Sequence, residues 1–505
     1  MASSETLRHC GTAATIDIIG EDLLHNIFSR LPATSFASAA CVSRSWNVVC
    51  ERVLSRPKLA SACSSNDSLE VAVKDVVDKV LSEPIRPHFA IASIGNSFIQ
   101  DYDVEESLEE AHYLITQSLG SNIPVITNST LGIIGRDAFS DEFKETQWRR
   151  GEEDNAIILT VGFLPGIKVT TIPLLMKNPI TFMMKKFVTD IREFSTSVSG
   201  CSSPAAIMMF ADQYRVGLID VAEKMGYAMS QKTVIVGDYS SPFRYSNCPD
   251  AWSVGAALVF AVDRNKPSGI GETQFHAVLS SGLSPVGPTY EAASVLEKSN
   301  SIWISARREG WGQNIDAEAI RNQVYDQLGD RNKNRKLYIG VTKKGKCGQE
   351  KVGRMTSLAF YEVRRNNRKY FFVSEKGVNL GDTFRFYRLD STAARSSVTA
   401  ISSHLRSFNR RSNNTTGGDK QEVFGGLIFS CCGARFFGEP NIDSSPFLDN
   451  FPGVTLGGAF CKRVIGRGVL TPYAKESQEQ KAMQCRVQAR GAVYFIMSYR
   501  QRKWN

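Results

Sequence analysis

The chain has 505 residues, of which 42% are hydrophobic and 22% are charged, and its formal net charge is +9. This length predicts about three domains with sizeable cores, and the composition is typical of a soluble globular protein. Its longest apolar stretches, such as "WSVGAALVFAV" from Trp252, are too short to span a bilayer. The first residues lack the basic and apolar pattern of a secretory signal, so we expect a cytoplasmic or nuclear protein with mostly reduced cysteines.

Residues 15–60 are predicted to form a small all-helical unit. The stretch "EDLLHNIFSRLP" has apolar residues at helical spacing and ends at Pro32, and "TSFASAACVSRSWNVVCERVL" continues as a second helical segment. About 45 residues make a poor independent core, so we expect this unit to complete its apolar surface on a partner. The small polar residues after Ser61 indicate a linker over residues 61–86.

The helical stretch resembles an F-box, the module that docks a substrate receptor onto the Skp-type adaptor of a cullin ubiquitin ligase. The strings "LLHNIFSRLP" and "VSRSW" carry the resemblance, while Ile19-Gly20 stands where such modules usually have Leu-Pro. The resemblance implies adaptor docking by Ile19, Leu23, Leu24, Ile27, Phe28, Leu31, Pro32, Val42 and Trp46.

Residues 87–265 alternate short apolar strands with amphipathic helices, which predicts a mixed α/β region. Strands are expected at "HFAIASIG", "IPVITNSTLGIIG", "AIILTVGF", "IKVTTIPL", "AAIMMFADQ", "TVIVGDYSS" and "WSVGAALVFAV", and helices at "VEESLEEAHYLITQSLG" and "PITFMMKKFVTDIREF". Residues 270–475 are richer in strands, with one helix from Ser391 that is expected to end near Ser412. A C-terminal segment, residues 476–505, contains a final strand. The predicted fold class is therefore α+β, with helices first and a large mixed α/β region after them.

The large region resembles a FIST domain in two halves, over residues 87–265 and 270–475. "NSTLGIIG" and "TVIVGDYSS" are similar to the first half, and "GGLIFSCCGARFFGEPN" and "FPGVTLGGAFCKRVIG" to the second. Such domains follow F-boxes in eukaryotes and are proposed to sense small ligands in bacteria. The resemblance implies a ligand pocket from Asn128, Ser129, Thr130, Gly132, Gly237, Asp238, Ser430, Cys431, Gly433, Arg435, Gly457 and Gly458.

The sequence departs from the FIST pattern at three places. Thr127 and Asn128 stand where Gly-Cys is common, Asp238 where a second glycine is common, and Arg463 and Val464 where Gly-Glu is common. If the ancestral pocket used that glutamate, this chain keeps the fold and has lost the ligand.

Two adjacent cysteines, Cys431 and Cys432, follow the predicted buried strand "GGLIFS". Neighbouring residues of a strand point to opposite faces, so the two thiols are not expected to share a metal ion. A disulfide between them is also disfavoured, because Cα atoms about 3.8 Å apart lie below the usual disulfide range. Two interpretations remain: small buried side chains at a strand end, or a sensing thiol activated by Arg435.

The residues from Arg331 to Tyr370 include 13 Lys or Arg and two Glu, a net charge of +11 that exceeds the charge of the whole chain. Three interpretations are open: a solvated strand edge, a nuclear address at "RNKNRK", or a surface for an acidic partner. The partner surface would use Lys343, Lys344, Lys346, Arg364, Arg365 and Arg368. "GVTKKGKC" lacks the Ser or Thr of a phosphate-binding P-loop, so a turn between strands is preferred.

These observations predict a non-catalytic substrate receptor of an SCF-type ubiquitin ligase, with no cofactor and no metal. Its expected partners are the Skp-type adaptor, through it the cullin and RING subunits, and a target protein, with neither membrane nor specific nucleic acid. The alternative is a signal-transduction protein whose FIST domain binds a metabolite such as an amino acid.

Overall fold

The computed structural model describes residues 20–95, 104–148, 155–176, 180–212, 218–238, 241–246, 253–298, 301–329, 336–346, 354–373, 377–413, 421–431, 440–470, 484–488 and 491–501. The chain divides into two compact units. We call residues 20–55 and 81–86 the helical unit, and the other described residues the large unit.

The helical unit contains α1 (Glu21–Phe28), α2 (Ala33–Ala40) and α3 (Arg44–Val53). The second predicted helical segment is thus two helices. It is divided because Ser43 has an extended backbone and its hydroxyl accepts a hydrogen bond from the backbone N–H of Trp46 at 3.2 Å, which starts α3. A small core joins the three helices, with the rings of Phe28 and Trp46 at 4.9 Å. Its fully buried members are Leu24, Phe28, Phe36, Ala39, Val49 and Cys50.

The first sheet of the large unit has five strands, covered by two helices. In order across the sheet the strands are β1 (Lys58–Ser64), β6 (Ile157–Phe163), β2 (Phe89–Gly95), β3 (Val125–Thr130) and β10 (Phe243–Tyr245). The helices are α4 (Leu69–Val80) and α5 (Val104–Leu119). The unit β2–α5–β3 has parallel strands, whereas the other neighbours are antiparallel. Gly120 ends α5 with φ of 102°, as the sequence predicts.

The predicted linker over residues 61–86 is wrong. Ser61 to Ser64 belong to β1, whose seven residues pair with β6, and Leu69–Val80 form α4 with six buried apolar side chains. Residues 81–86 belong to the helical unit, where the carbonyl of Leu81 accepts a hydrogen bond from the N–H of Ala33. The small polar residues at 64–68 form a short turn, in which the Ser68 hydroxyl accepts from the N–H of Val71 at the start of α4.

The second sheet has twelve strands drawn from both halves of the large region. They are β4 (Gly132–Arg136), β5 (Phe143–Gln147), β7 (Ile167–Leu175), β8 (Ala206–Ala211), β9 (Val234–Asp238), β11 (Ser253–Val262), β12 (Glu272–Leu279), β20 (Gln421–Ser430), β21 (Thr455–Phe460), β22 (Val464–Leu470), β23 (Gln484–Gln488) and β24 (Ala492–Arg500). The order is β5-β4-β21-β20-β24-β12-β22-β9-β8-β11-β7, with β23 beside β22. The two predicted halves therefore share one sheet, and the predicted final strand, β24, lies inside it between β20 and β12.

Four helices accompany the second sheet. They are α6 (Ile180–Ser199), α7 (Leu218–Ala228), α9 (Ser391–Asn413) and the short α10 (Ser445–Leu448). The helix α9 ends at Asn413, close to the predicted end. Met183, Phe187 and Ile191 of α6 pack with Val221 and Met225 of α7 in one core cluster.

Six antiparallel strands of the strand-rich half close into a ring. They are β13 (Leu283–Lys298), β14 (Ser301–Arg308), β16 (Leu337–Lys346), β17 (Arg354–Asn366), β18 (Phe371–Val373) and β19 (Thr383–Leu389). The order β13-β19-β16-β17-β18-β14 returns to β13 because β13 also pairs with β14. The two-residue β15 (Asn314–Ile315) extends β14, and α8 (Ala317–Gln327) adds Ile320 and Val324 to the core inside the ring. Closure gives the strands a neighbour on each side along the part of their length that the ring contains.

Aromatic side chains fill the core between the first and second sheets. Phe260 is at its centre, 5.2 Å from the Phe89 ring and 5.4 Å from the Phe275 ring, and Phe495 stacks on Phe275 at 5.4 Å. All four are buried. These contacts bring β2, β11, β12 and β24 together. The large unit therefore has a shared aromatic core, and it combines mixed sheets with helices. The α+β fold class is confirmed.

Candidate functional site

The apolar residues predicted to dock an adaptor separate into two groups in the helical unit. Leu24 and Phe28 face inwards and form the core of the unit itself. Leu23 and Ile27 lie one turn apart on the outside of α1, with 55% and 42% of their surfaces exposed. Val42 is 62% exposed at the start of the turn before α3. Pro32 is exposed, Leu31 and Trp46 are half-buried, and Ile19 lies outside the described residues.

Exposed apolar residues on so small a unit are what a docking surface requires. We call Leu23, Ile27 and Val42 the exposed apolar set. Leu24 and Phe28 support that set from behind, since the helix α1 keeps its orientation by burying them. Ion pairing between Arg52 and Glu21 further ties α3 to α1.

The predicted pocket residues mark a region where polar side chains are buried at the ends of several strands. Ser93 on β2 lies opposite Asn128 on β3, and Asp238 is the last residue of β9. The Ser93 hydroxyl donates to Asn128 Oδ1 at 2.8 Å, and Asn128 Nδ2 donates to Asp238 Oδ2 at 3.2 Å. Only 1% of the surface of Asp238 is exposed. We call these three side chains the strand-end triad.

A buried thiol lies against the carboxylate of the triad. Cys461, just after β21, is hydrogen-bonded to Asp238, and its backbone N–H donates to the carbonyl of Ser430 at 2.7 Å. Burial raises the pKa of Cys461 well above its usual value, and the negative charge of Asp238 raises it further. The thiol is therefore protonated and can serve as a hydrogen-bond donor.

The opening of the "CCGARFFG" stretch is also buried. Cys431 is in the core, where its Sγ lies 3.1 Å from the carbonyl oxygen of Gly491 and accepts a hydrogen bond from the N–H of Gly491 at 3.0 Å. These contacts support the interpretation of Cys431 as a structural side chain at a strand end. Cys432, Gly433 and Arg435 lie outside the described residues.

A second set of polar contacts surrounds Ser430. Its hydroxyl donates to Asp443 Oδ2 at 2.6 Å, and the Tyr494 hydroxyl donates to the backbone carbonyl of Asp443 at 2.8 Å. The backbone N–H groups of Asp443 and Ser444 point at the carboxylate of Glu145, at 3.3 and 2.9 Å. Together they link β20, β24 and β5 to the segment before α10.

Predicted pocket glycines provide close contact between strands. A Cβ on Gly457 would lie 2.5 Å from Ser61 Oγ and 2.6 Å from Thr160 Oγ1, and one on Gly458 would lie 2.3 Å from the carbonyl oxygen of Ile428. Gly237 has φ of 148° and lies against the backbone of Met209. Gly132 is similarly close to Thr146. The space that a side chain would need at these positions is occupied by neighbouring strands and hydroxyl groups. This close packing explains the glycines without a ligand.

The remaining predicted pocket members also have partners within the fold. The Thr130 hydroxyl donates to the carbonyl oxygens of Gly132 and Phe460 at 2.9 and 2.7 Å. The N–H of Ser129 donates to the carbonyl of Pro242 at 3.0 Å. Both side chains are buried.

A half-buried histidine lies next to this region and was not identified from the sequence. His112 on α5 has Nδ1 at 2.9 Å from the hydroxyl oxygen of Thr127, the residue before Asn128. Burial lowers the pKa of His112 to about 4, and the positive charge of Arg244 contributes in the same direction. The ring is therefore neutral near pH 7. Ser93, Glu145, Asp443 and Cys461 were missed as well, because each is an isolated polar residue whose partner is distant in the chain.

The basic segment lies on the ring of strands. Leu337–Thr342 of β16 lie between β19 and β17, whereas the register pairs of residues 343–346 are with β17 and those of Arg365 and Asn366 are with β18. The strand-edge interpretation fails for Leu337–Thr342, which carry no charged side chain, and stays open for the basic residues of the segment. Arg364, Arg365 and Arg368 are exposed, whereas the side chains of Lys343, Lys344 and Lys346 lie outside the described residues.

The near match to a P-loop is extended strand rather than a loop. Gly340 to Lys346 belong to β16 and pair with β17. In the described ranges, no group of three or more His, Cys, Asp and Glu side chains is placed to bind a metal ion. No helix in the described part of the chain is long and apolar enough to cross a membrane.

Comparisons with known proteins agree with the helical unit. Residues 16–58 match the F-box domain family. A curated Arabidopsis thaliana protein, named F-box/LRR-repeat protein At5g63520, is 38% identical over 514 aligned positions, which cover 96% of this chain and 94% of that protein. Its name includes a leucine-rich repeat, whereas the described strands of the large unit form the two sheets and the closed ring.

Proposed function

This chain belongs to the family of F-box proteins, and on that premise we propose that it is the substrate-recognition subunit of an SCF-type cullin ubiquitin ligase. The exposed apolar set, Leu23, Ile27 and Val42, is the observation that carries the proposal. Three apolar side chains exposed on a unit that matches the F-box family fit an apolar groove on a Skp-type adaptor. Through that adaptor the chain would reach the cullin and RING subunits.

The large unit would hold the target protein. We propose that it is a FIST-type region, on the resemblance of its strand ends around Asn128, Asp238, Ser430 and Gly457. Ubiquitylation would then result from proximity, because a target held beside a ubiquitin-loaded enzyme meets it at a high effective concentration. The receptor itself needs no catalytic residue for this role, and cytoplasm and nucleus are both compatible with it.

Co-precipitation from plant cell extract tests docking. The double variant Leu23→Asp with Ile27→Asp puts two charges on the docking face, where they would be desolvated without a partner. We expect it to lose the adaptor and the cullin. The matched control is His25→Asp, on an exposed part of α1 away from those two residues, and it should retain both partners. If the unmodified chain, the double variant and the control recovered equal amounts of adaptor, the docking assignment would be wrong.

A second candidate function is small-ligand sensing by the large unit. The buried carboxylate of Asp238, next to the amide of Asn128, favours it, because such a pair can bind the ammonium and carboxylate groups of an amino acid if it opens. The internal hydrogen bonds of the triad weigh against it. Thermal unfolding of the full chain in the presence of each common amino acid would test it, since a ligand of the folded state raises Tm. A rise that disappears in Asp238→Asn would support sensing.

A further inference from the structure

The outer face of the strand ring carries a row of side chains that the adaptor-docking function does not use. Leu296 on β13 lies opposite Trp303 on β14, Trp303 lies opposite Phe372 on β18, and Phe372 lies opposite Arg365 on β17. We call Leu296, Trp303, Phe372 and Arg365 the aromatic-basic row. Residues directly opposite one another on neighbouring antiparallel strands share one face of a sheet.

The row faces away from the core inside the ring. Ile302, Ile304, Phe371 and Val373 alternate with row members along β14 and β18, and all four are buried in that core. Because successive residues of a strand point to opposite faces, Trp303 and Phe372 point outwards. Leu296 is 48% exposed and Trp303 is half-buried, which leaves an apolar strip on the outside of the ring.

One end of the strip is held rigid by ring contacts and meets a group of cations. The Trp303 and Phe372 rings are 3.8 Å apart, and the Arg365 guanidinium lies 4.5 Å from the centre of the Phe372 ring. Lys369 lies 5.5 Å from the centre of the Tyr370 ring, which is itself 6.0 Å from Trp303.

We call Arg364, Arg365, Arg368 and Lys369 the cationic cluster. All four are exposed, and within the described residues none forms an ion pair with an acidic side chain. The nearby acid Glu362 is paired with Lys336 instead. Glu297, beside Leu296, is an exposed acidic residue at the opposite end of the strip.

We propose that the aromatic-basic row and the cationic cluster form the docking surface for an acidic protein segment with a hydrophobic side chain next to its acidic residues. This inference rests on the proposed receptor function, since the segment would belong to the recruited target. The hydrophobic side chain would pack on Leu296 and Trp303, and the acidic residues would lie on the cationic cluster. Charge complementarity of this kind gives fast and specific association.

A protein segment fits the surface better than a single-stranded nucleic acid does. Nucleic-acid platforms present open aromatic faces on which bases stack. Here Phe372 is only 8% exposed, because Trp303 and Arg365 already cover it. The row is completed by an aliphatic side chain, and the cations are gathered at one end rather than along the strip.

Fluorescence anisotropy with the full chain tests this inference. The probe is a short fluorescein-labelled peptide of Glu and Asp residues with a central Leu-Phe pair. Comparison probes replace the acids with Lys, replace Leu-Phe with Ser-Ser, or use a labelled thymidine oligonucleotide. We expect the acidic Leu-Phe peptide to bind the tightest, and its binding to weaken as salt rises, because screening shortens the range of these charges.

Two variants locate the binding. Arg365→Glu with Arg368→Glu should weaken the acidic peptide about ten-fold or more, because it replaces attraction with repulsion. Its matched control, Lys185→Glu with Lys232→Glu, makes the same change in net charge at exposed positions elsewhere and should change affinity less than about two-fold. Trp303→Ser should reduce the preference for Leu-Phe over Ser-Ser, and circular dichroism would verify that it folds.

The inference is overturned if the acidic peptide binds no better than the lysine peptide, or if the control reversal weakens it as much as the cluster reversal. Tighter binding of the oligonucleotide would overturn it in favour of a nucleic-acid surface. Adaptor co-precipitation of the same variants is independent of these results. If the chain co-precipitates the adaptor but does not bind the acidic peptide, only the proposed docking surface is wrong. If the unmodified chain fails to co-precipitate the adaptor, the proposed receptor function is wrong.

Discussion

The side-chain amide of Asn128 donates a hydrogen bond of 3.2 Å to the carboxylate of Asp238, across 110 positions of sequence. This contact joins the ends of β3 and β9, which belong to different sheets of the large unit. Both side chains are buried, so the hydrogen-bond donor on one has to face an acceptor on the other.

Exchanging the amide of Asn128 and the carboxylate of Asp238 tests whether the two side chains interact directly. Asn128→Asp would place two carboxylates together without water, and we expect it to lower the free energy of unfolding by about 3 kcal/mol or more. The swapped double variant, Asn128→Asp with Asp238→Asn, should recover part of that loss because one amide again faces one carboxylate. Urea unfolding of the two single variants, Asn128→Asp and Asp238→Asn, and of the double variant measures both effects. Additive losses in the double variant would contradict a direct interaction.

The two neighbouring leucines of α1 should behave differently. Leu24→Asp puts a charge into the core of the helical unit and should unfold that unit, at a cost of several kcal/mol. Leu23→Asp changes an exposed side chain and should leave the unit folded while weakening adaptor binding. Far-ultraviolet circular dichroism and limited proteolysis of the two variants would show the difference. If Leu24→Asp remained as resistant to protease as Leu23→Asp, the assigned core would be wrong.

Cysteine reactivity should follow burial. Cys431 and Cys461 are buried and Cys41 and Cys201 are exposed, so a maleimide should label the second pair much faster under native conditions. Mass spectrometry of peptides after short labelling times gives the rates. Cys431→Ala should cost about 1 to 2 kcal/mol of stability, since a small buried side chain is lost. Rapid labelling of Cys431 in the folded chain would favour the sensing-thiol interpretation instead.

Gly457 has room for no side chain. Gly457→Ala would press a methyl group on the Ser61 and Thr160 hydroxyls, which hydrogen-bond each other at 2.8 Å, and we expect a loss of about 1 to 3 kcal/mol. Gly312→Ala is the matched control, because an added Cβ there would meet open space. Thermal unfolding compares the two. Ser61→Ala in the Gly457→Ala background should restore part of the stability, and failure to do so would place the strain elsewhere.

The half-buried His112 should make stability depend on pH. The folded chain lowers the pKa of His112 from 6.5 to about 4, so the unfolded chain binds the proton more readily between those values. The contribution of His112 to stability is therefore fully present above about pH 6.5 and declines as the pH falls towards 4. His112→Gln should lose less stability than the unmodified chain between pH 7 and 5. Urea unfolding at both pH values measures this, with exposed His25→Gln as control.

Local patterns predicted most of the elements but could not decide which surface each one faces. The buried strand β20 follows from the apolar run "GGLIFS", and α5 follows from its apolar spacing and Gly120. Leu23 and Leu24 fall on the same apolar stripe of the sequence. Helical periodicity does not separate the part of a stripe that faces the core of the unit from the part that faces a partner.

Contacts between distant strands were beyond sequence patterns. The basic segment was compatible with a sheet edge because Lys and Arg are common there. Strand pairing shows that Leu337–Thr342 of β16 have neighbours on both sides, in β17 and β19, whereas the lysines at the end of β16 pair with β17. The polar residues 61–68 resembled a linker, although β1 is an ordered member of the first sheet. Such pairing depends on residues about a hundred positions away, as in the Ser61–Thr160 contact.

The position of β24 has a consequence for synthesis on the ribosome. The strand spans Ala492–Arg500 and lies between β12 and β20, with nine register pairs to β20 and eight to β12. Both neighbours are translated before it, so their inner edges lack a partner until β24 leaves the exit tunnel. Open edges invite pairing with other chains, which makes this stage the one at which a nascent chain most needs a chaperone. A premature stop codon before residue 492 should therefore yield an aggregating product rather than a shortened receptor.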